Sequence, residues 1–271
     1  MVVAGIDCVG SEHPHLGRFR LRLVENFEIM VSRSSMQKDL RMTGSEETRG
    51  EDIDDLENQI VSSLSALTSS TTEAIRKVRQ GFSRRLAEAP PRFVVALALQ
   101  LIRRAAVPRF VAYELILYHR PALRSLKAKS LEALGAGNNS WVEVDTFACY
   151  LAGPAWREGQ VSDALIRRWA SSSDRWWRRT AAASTIALNN KARGGRGDPA
   201  RTLMVCEMLV ADRDDMVVKA LSWALRELSK RDPESVRSFL RKHENVLAAR
   251  VVREVNNKLK TGLKNPRQQT T

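Results

Sequence analysis

Four side chains of this 271-residue sequence have types and spacings suited to chemistry on a polyanion: Trp141, Asp145, Arg179 and Trp223. They fall on the second helices of three successive predicted helix pairs. Ser140 reads as an N-cap and Glu143 completes a capping box, so Trp141 lies in the first turn of its helix. Asp145 follows four residues later on the same face. Its closeness to a helix N-terminus favours the ionised carboxylate. Arg179 lies five residues into a helix opened by Asp174, where backbone amides and dipole already favour an anion. It suits a phosphate clamp, or else a salt bridge to a neighbouring helix. Trp223 sits between Ser222 and Ala224, with Lys219 four residues before it and Arg226 just after. Each has an ordinary alternative: the indoles as core anchors, Asp145 as a solvated first-turn acid. Trp169, Trp176 and Trp177 read as packing residues, and Trp156 as a loop or terminus anchor.

Charge supports a polyanionic partner. The formal net charge is +13, and residues 1–52 hold only 7 basic against 9 acidic side chains, so the excess lies entirely in residues 53–271. Phosphate neutralisation by such a surface releases counterions and drives association. The basic residues expected to face DNA are Arg175, Arg178, Arg179, Lys219, Arg226, Arg250 and Arg253.

Other classes are disfavoured. The three cysteines are far apart and the four histidines form no ligand spacing, so no metal, cofactor or disulfide framework is expected. Cys149 and Cys206 read as reduced core residues. No apolar run approaches the ~20 residues a membrane span needs. The N-terminus lacks the basic-then-apolar order of a signal peptide, so a cytoplasmic, nucleoid-associated, monomeric protein is expected.

The elements that must position the four side chains are helices. Glycine (14), proline (9) and aromatics (6%) are scarce, and from Asp54 onward apolar residues recur every three to four positions. Pro90–Pro91, Pro108 and Pro121 each open a helix. The later helices pair: 121–135 with 140–152, 160–171 with 174–190, 199–211 with 214–230, 233–246 with 248–260. Second members begin near Ser140, Asp174 and Asp214, at 34- and 40-residue offsets typical of HEAT-like repeats. The expectation is an all-α HEAT-like solenoid over 53–262, a disordered N-terminal extension or non-native upstream start over 1–52, and a flexible tail over 263–271. The Gly/Arg-rich stretch Asn190–Asp198 reads as a linker, with a flexible DNA-touching arm as the alternative.

Three segments carry a resemblance: Trp141-Val142-Glu143-Val144-Asp145, Trp169 through Trp176 to Arg179-Thr180-Ala181-Ala182, and Lys219-Ala220-Leu221-Ser222-Trp223-Ala224-Leu225-Arg226-Glu227. Together they resemble the HEAT-like-repeat DNA alkylation-repair glycosylases of the AlkD type, over roughly 140–255. In that family two tryptophans and an aspartate form the active site and an arginine supports it from the DNA backbone. Trp141, Asp145 and Trp223 match the first three, and Arg179 the arginine. The chain departs from the family at Ser140 and Val142, where a second tryptophan and another acid are frequent. The resemblance implies release of N3- or N7-alkylpurines from duplex DNA, with the lesion left in the stack. The chemistry agrees. Such a base carries positive charge and needs no protonation to leave, so the demand is for stabilising charge that develops on the sugar. The alternative is a non-catalytic protein of the same fold that binds damaged or branched DNA. A protein-binding helical scaffold is a third reading.

Overall fold

The computed structural model describes residues 52–105 and 107–266; within them every regular element is helical. The expected N-terminal extension falls almost wholly outside the described residues, as does the end of the expected tail. Helices alternate between two rows. The first row contains α1 (Ile53–Ser65), α3 (Pro91–Arg103), the short pair α5 (Arg120–Ser125) and α6 (Ala128–Gly135), α9 (Asp163–Ala170), α12 (Pro199–Leu209) and α14 (Pro233–Lys242). The second contains α2 (Thr72–Arg85), α4 (Arg109–Leu117), α7 (Trp141–Phe147), α10 (Arg175–Ser184), α13 (Asp215–Leu228) and α15 (Ala249–Thr261). Along the second row each helix packs on the next, and α3·α4, α9·α10 and α12·α13 form rungs between rows. This is an all-α helical-repeat solenoid, in which each unit buries its apolar face only against its neighbours.

The sequence sets the helix starts locally. Asp174 and Asp214 both cap second-row helices, accepting from the amides of Trp176 and Met216 at 2.8 and 2.9 Å. Asp198 and Asp232 cap the first-row helices α12 and α14, each followed by proline at the first helical position. Gly262, in the left-handed conformation, ends α15.

Small residues set how closely the middle helices approach. Ala181, Ala182 and Ala183 on α10 and Ala220 and Ala224 on α13 are fully buried. A Cβ on Gly153 would lie 2.5 Å from the Ser184 carbonyl oxygen and 2.7 Å from Ala187 Cβ.

Three expected helices differ from observation. The segment 121–135 is two helices, because Leu126 is extended (ψ 133°). Gln160 Nε2 donates to the freed carbonyls of Leu123 and Leu126, and Leu126, Leu131 and Leu134 all reach the core. The helix expected to end at 152 continues instead through a π turn (Ala148–Ala152) into α8 (Gly153–Arg157). Pro154 has no N–H to donate, and the wider turn before it accommodates that loss. The segment 174–190 loosens at Thr185 before α11 (Ile186–Asn189). There the hydroxyls of Thr180, Ser184 and Thr185 bond back to carbonyls three or four residues earlier.

The stretch 190–198 is neither linker nor loose arm. Arg157 Nη1 donates to the carbonyls of Ala187 and Arg193, and Arg231 donates to those of Asn189 and Gly195. Two guanidiniums from outside the turn therefore hold its backbone.

Candidate active site

Site geometry begins at the N-terminus of α7. Arg109 Nη1 and the Tyr113 hydroxyl, both on α4, donate to Asn138 Oδ1 at 3.1 and 2.8 Å, fixing the approach to the helix. Ser140 Oγ then accepts from the Glu143 amide, and Glu143 Oε2 accepts from the Asn139 amide. This reciprocal cap fixes where α7 starts. The opposite face of α7 is anchored by Phe147, which packs against Tyr113, Trp169 and Trp177. With that side buried, Trp141 projects outward and is 41% exposed. An indole this exposed at a capped helix start is not a core anchor.

Asp145, one turn further, is only 6% exposed. Its partner is Arg179, 5% exposed and 34 residues away on α10. Arg179 Nε donates to Oδ1 at 2.9 Å and Nη2 to Oδ2 at 2.7 Å, a bidentate pair. Nη1 donates to the Met216 carbonyl in the first turn of α13 at 2.5 Å. One guanidinium thus ties together α7, α10 and α13. Trp223, half-buried, lies seven residues after Met216 and so on the same face of α13.

Of the two readings open for Arg179, phosphate clamp or salt bridge to a neighbouring helix, the structure has the salt bridge: Nε, Nη1 and Nη2 each meet a protein acceptor, and close packing of α7, α10 and α13 buries the side chain. One expectation changes here. Asp145, read as dipole-favoured in its ionised form, sits in the second turn, beyond the amides that the cap uses. Burial pushes its carboxyl above the ordinary carboxylate range; attraction and hydrogen bonds from Arg179 pull it back only in part.

The other basic residues expected at DNA are mostly paired with acids. Arg178 Nε meets Asp212 at 2.7 Å while Nη1 donates to the carbonyls of Ser172 and Ser173. Arg175 stacks over Trp176 and lies 3.5 Å from Asp214. Lys219 and Arg250 share Asp215, at 2.6 and 3.0 Å. Arg226 turns inward to Ser222 and buried Glu254. Arg253 is exposed. The second row is therefore basic but interleaved with Asp212, Asp214 and Asp215, three acids that the expected charge pattern does not contain. The exposed pairs among these, Arg175–Asp214, Lys219–Asp215 and Arg250–Asp215, are worth about 0–1 kcal/mol, so a phosphate can exchange for the carboxylate there; Arg178–Asp212 and Arg226–Glu254 are largely buried.

Trp156 and Trp169 belong to the core, with indole N–H groups donating to Asp163 and Glu132. Trp176 and Trp177 are half-buried. Among the described residues no cluster of His, Cys, Asp and Glu could hold a metal ion, and no helix is long and apolar enough to cross a membrane. Cys149 and Cys206 are buried.

Fold and site together define a helical-repeat protein in which a buried carboxylate, Asp145, shares a helix with an exposed indole and is paired to an arginine of the next second-row helix. A family model described as DNA alkylation repair enzyme matches residues 67–259, and the chain belongs to that family. No curated relative and no solved structure matches it.

Proposed function

We propose that this member of the DNA alkylation repair enzyme family is a monofunctional DNA glycosylase. It hydrolyses the N-glycosidic bond of N3- or N7-alkylated purines in duplex DNA and leaves an abasic site. The observation that carries this reading is the Asp145 carboxylate, buried yet held ionisable by Arg179, one helical turn from exposed Trp141.

As the C1′–N bond breaks, its electron pair leaves with the cationic purine, which departs neutral. Positive charge moves to the sugar. Asp145 stabilises that oxocarbenium-like centre and orients the incoming water, whose oxygen bonds to C1′ and whose proton passes to the carboxylate or solvent. The faces of Trp141 and Trp223 attract the same developing charge, at ~0.5–2 kcal/mol each. Arg179 positions Asp145. Arg175, Arg178, Lys219, Arg226, Arg250 and Arg253 are the candidates for phosphate contact, exchanging acid partners for DNA where they have them. The lesion stays in the duplex and the protein acts as a monomer in the cytoplasm, associated with the nucleoid.

A second reading is favoured by one feature: both oxygens of Asp145 are occupied by Arg179. A protein that never releases this pair binds damaged DNA without cleaving it. Incubation with N-methylpurine-treated duplex separates the two. Free methylated base and abasic sites are expected; tight binding without base release supports the second reading.

A further inference from the structure

The face bearing Asp145 lies toward the N-terminal ends of the second-row helices, where most cations have acid partners. Their C-terminal ends form a different edge, of which the proposed chemistry uses only Arg226, in the last turn of α13. A series of contacts makes it continuous across four repeats. Gln160 joins the α8–α9 turn to the carbonyls of Leu123 and Leu126, beside exposed Lys127. Arg157 joins α8 to the turn at 190–198, which exposes Lys191 and Arg196. Arg231, after α13, grips the far side of that turn. Lys258 on α15 donates to the Gly262 carbonyl and lies near Lys230, Glu227 and Arg226: burial lowers its pKa most, the two cations lower it further and Glu227 raises it.

Among the described residues no carboxylate is within salt-bridge reach of Lys127, Lys191, Arg196 or Lys258; Lys230 has Glu227 at 2.6 Å. The turn itself carries no apolar side chain larger than alanine, so it presents charge and no wedge for a bilayer. Its glycine amides are already spent: those of Gly194, Gly195 and Gly197 donate to the carbonyls of Lys191, Asn190 and Leu188. The cations are thus carried on a fixed frame. Neighbouring helices pack about 8–10 Å apart, roughly three base steps of 3.4 Å along one strand.

We infer that this edge is a second, sequence-independent phosphate-binding rail that holds a DNA segment other than the one at Asp145. The choice of DNA as the polyanion rests on the function proposed above. A protein with two such tracks passes between duplex segments without full release.

The test uses the full chain with Lys191→Glu, Arg196→Glu, Lys230→Glu and Lys258→Glu combined, and the same four positions changed to glutamine. The wild type is expected to bind two short unmodified duplexes at low salt, and either variant only one. The slope of log K against log salt falls by about 2–4, at about 0.9 for each phosphate no longer neutralised, and affinity for a long duplex falls at least tenfold. Single-turnover base release from a short methylated duplex at saturating protein stays within twofold. Unchanged stoichiometry and slope in both variants overturn the rail. A fall in saturated base release also overturns it, since the edge then belongs to the same DNA path. If the wild type releases no base yet both variants lose one duplex, the rail stands and the glycosylase reading falls. The glutamine set keeps the test valid should charge reversal prevent folding.

Discussion

Arg179 meets Asp145 through two hydrogen bonds and reaches past it to the Met216 carbonyl, so the side chain that steadies the carboxylate also fixes the spacing of three helices. Chemistry and scaffold are therefore coupled at one residue, and substitutions on the two sides of the pair separate them.

Asp145→Asn keeps the shape and one acceptor oxygen but removes the charge. Base release from methylated duplex is expected to fall well over tenfold with DNA binding nearly intact, measured by single-turnover product formation and by anisotropy. Unchanged release would remove Asp145 from the mechanism.

Arg179→Ala leaves a carboxylate buried without its partner, a change that typically costs about 3–5 kcal/mol. A large drop in thermal midpoint is expected, along with weaker DNA binding. Arg179→Lys keeps charge but not the fork and should recover only part of the stability. If Arg179 also meets phosphate during turnover, the salt slope falls by about 0.9; an unaltered slope confines it to positioning Asp145.

The acid limb of the activity profile follows from the same pair. In the proposed mechanism Asp145 works ionised, and its folded-state value is raised above the ordinary ~3.9. Base release should therefore decline as pH falls through a midpoint above that value. Removing Arg179 takes away the influence that lowers it, so in any Arg179→Ala protein that folds the limb moves to higher pH. A limb that stays in place would dissociate Asp145 from the pH profile.

Trp141 and Trp169 make a contrasting pair. Trp141→Ala deletes an exposed ring and should lower base release more than tenfold with little change in thermal midpoint. Trp169→Ala opens a hole beside Phe147 and Trp177 and should cost about 3–5 kcal/mol. Chemical denaturation of both variants checks the difference.

Gly153→Ala places a methyl where the Ser184 carbonyl and Ala187 already stand. α8 and the α10–α11 segment must then separate, at a cost of about 1–3 kcal/mol. Because α10 carries Arg179, base release should fall alongside stability; full activity would show that the site tolerates that shift.

The helical character and the two-row order were legible because their causes are local. Aspartates at 174 and 214, Ser140, and prolines at helix starts act within a few residues, and they mark element boundaries in any context. The interruption at Leu126 was not legible because it is stabilised by Gln160, more than thirty residues away; Pro154 and the hydroxyls of Thr180, Ser184 and Thr185 were visible, but residue type alone does not say whether a helix bends, widens or breaks there. The four site residues were recognisable as types. Their relation was not: nothing in the string states that Asp145 is buried, that Arg179 faces inward, or that the Met216 backbone supplies an acceptor. Asp212, Asp214 and Asp215 were visible, but their role as counterions to Arg178, Arg175, Lys219 and Arg250 depends on which turns adjoin.

The π turn at Ala148–Ala152 adds one residue to a single coil of the α7–α8 rod. In an α-helix one residue is about 100° of rotation, so the two halves of the rod are out of phase by that angle. The offset lets one continuous rod show Asp145 to Arg179 at one end and bury Trp156 at the other. Deleting a single alanine there would restore uniform winding and force one of these two side chains to the wrong side. The half of the rod that carries Asp145 and the half that carries Trp156 are thus kept in relative orientation by a single extra residue.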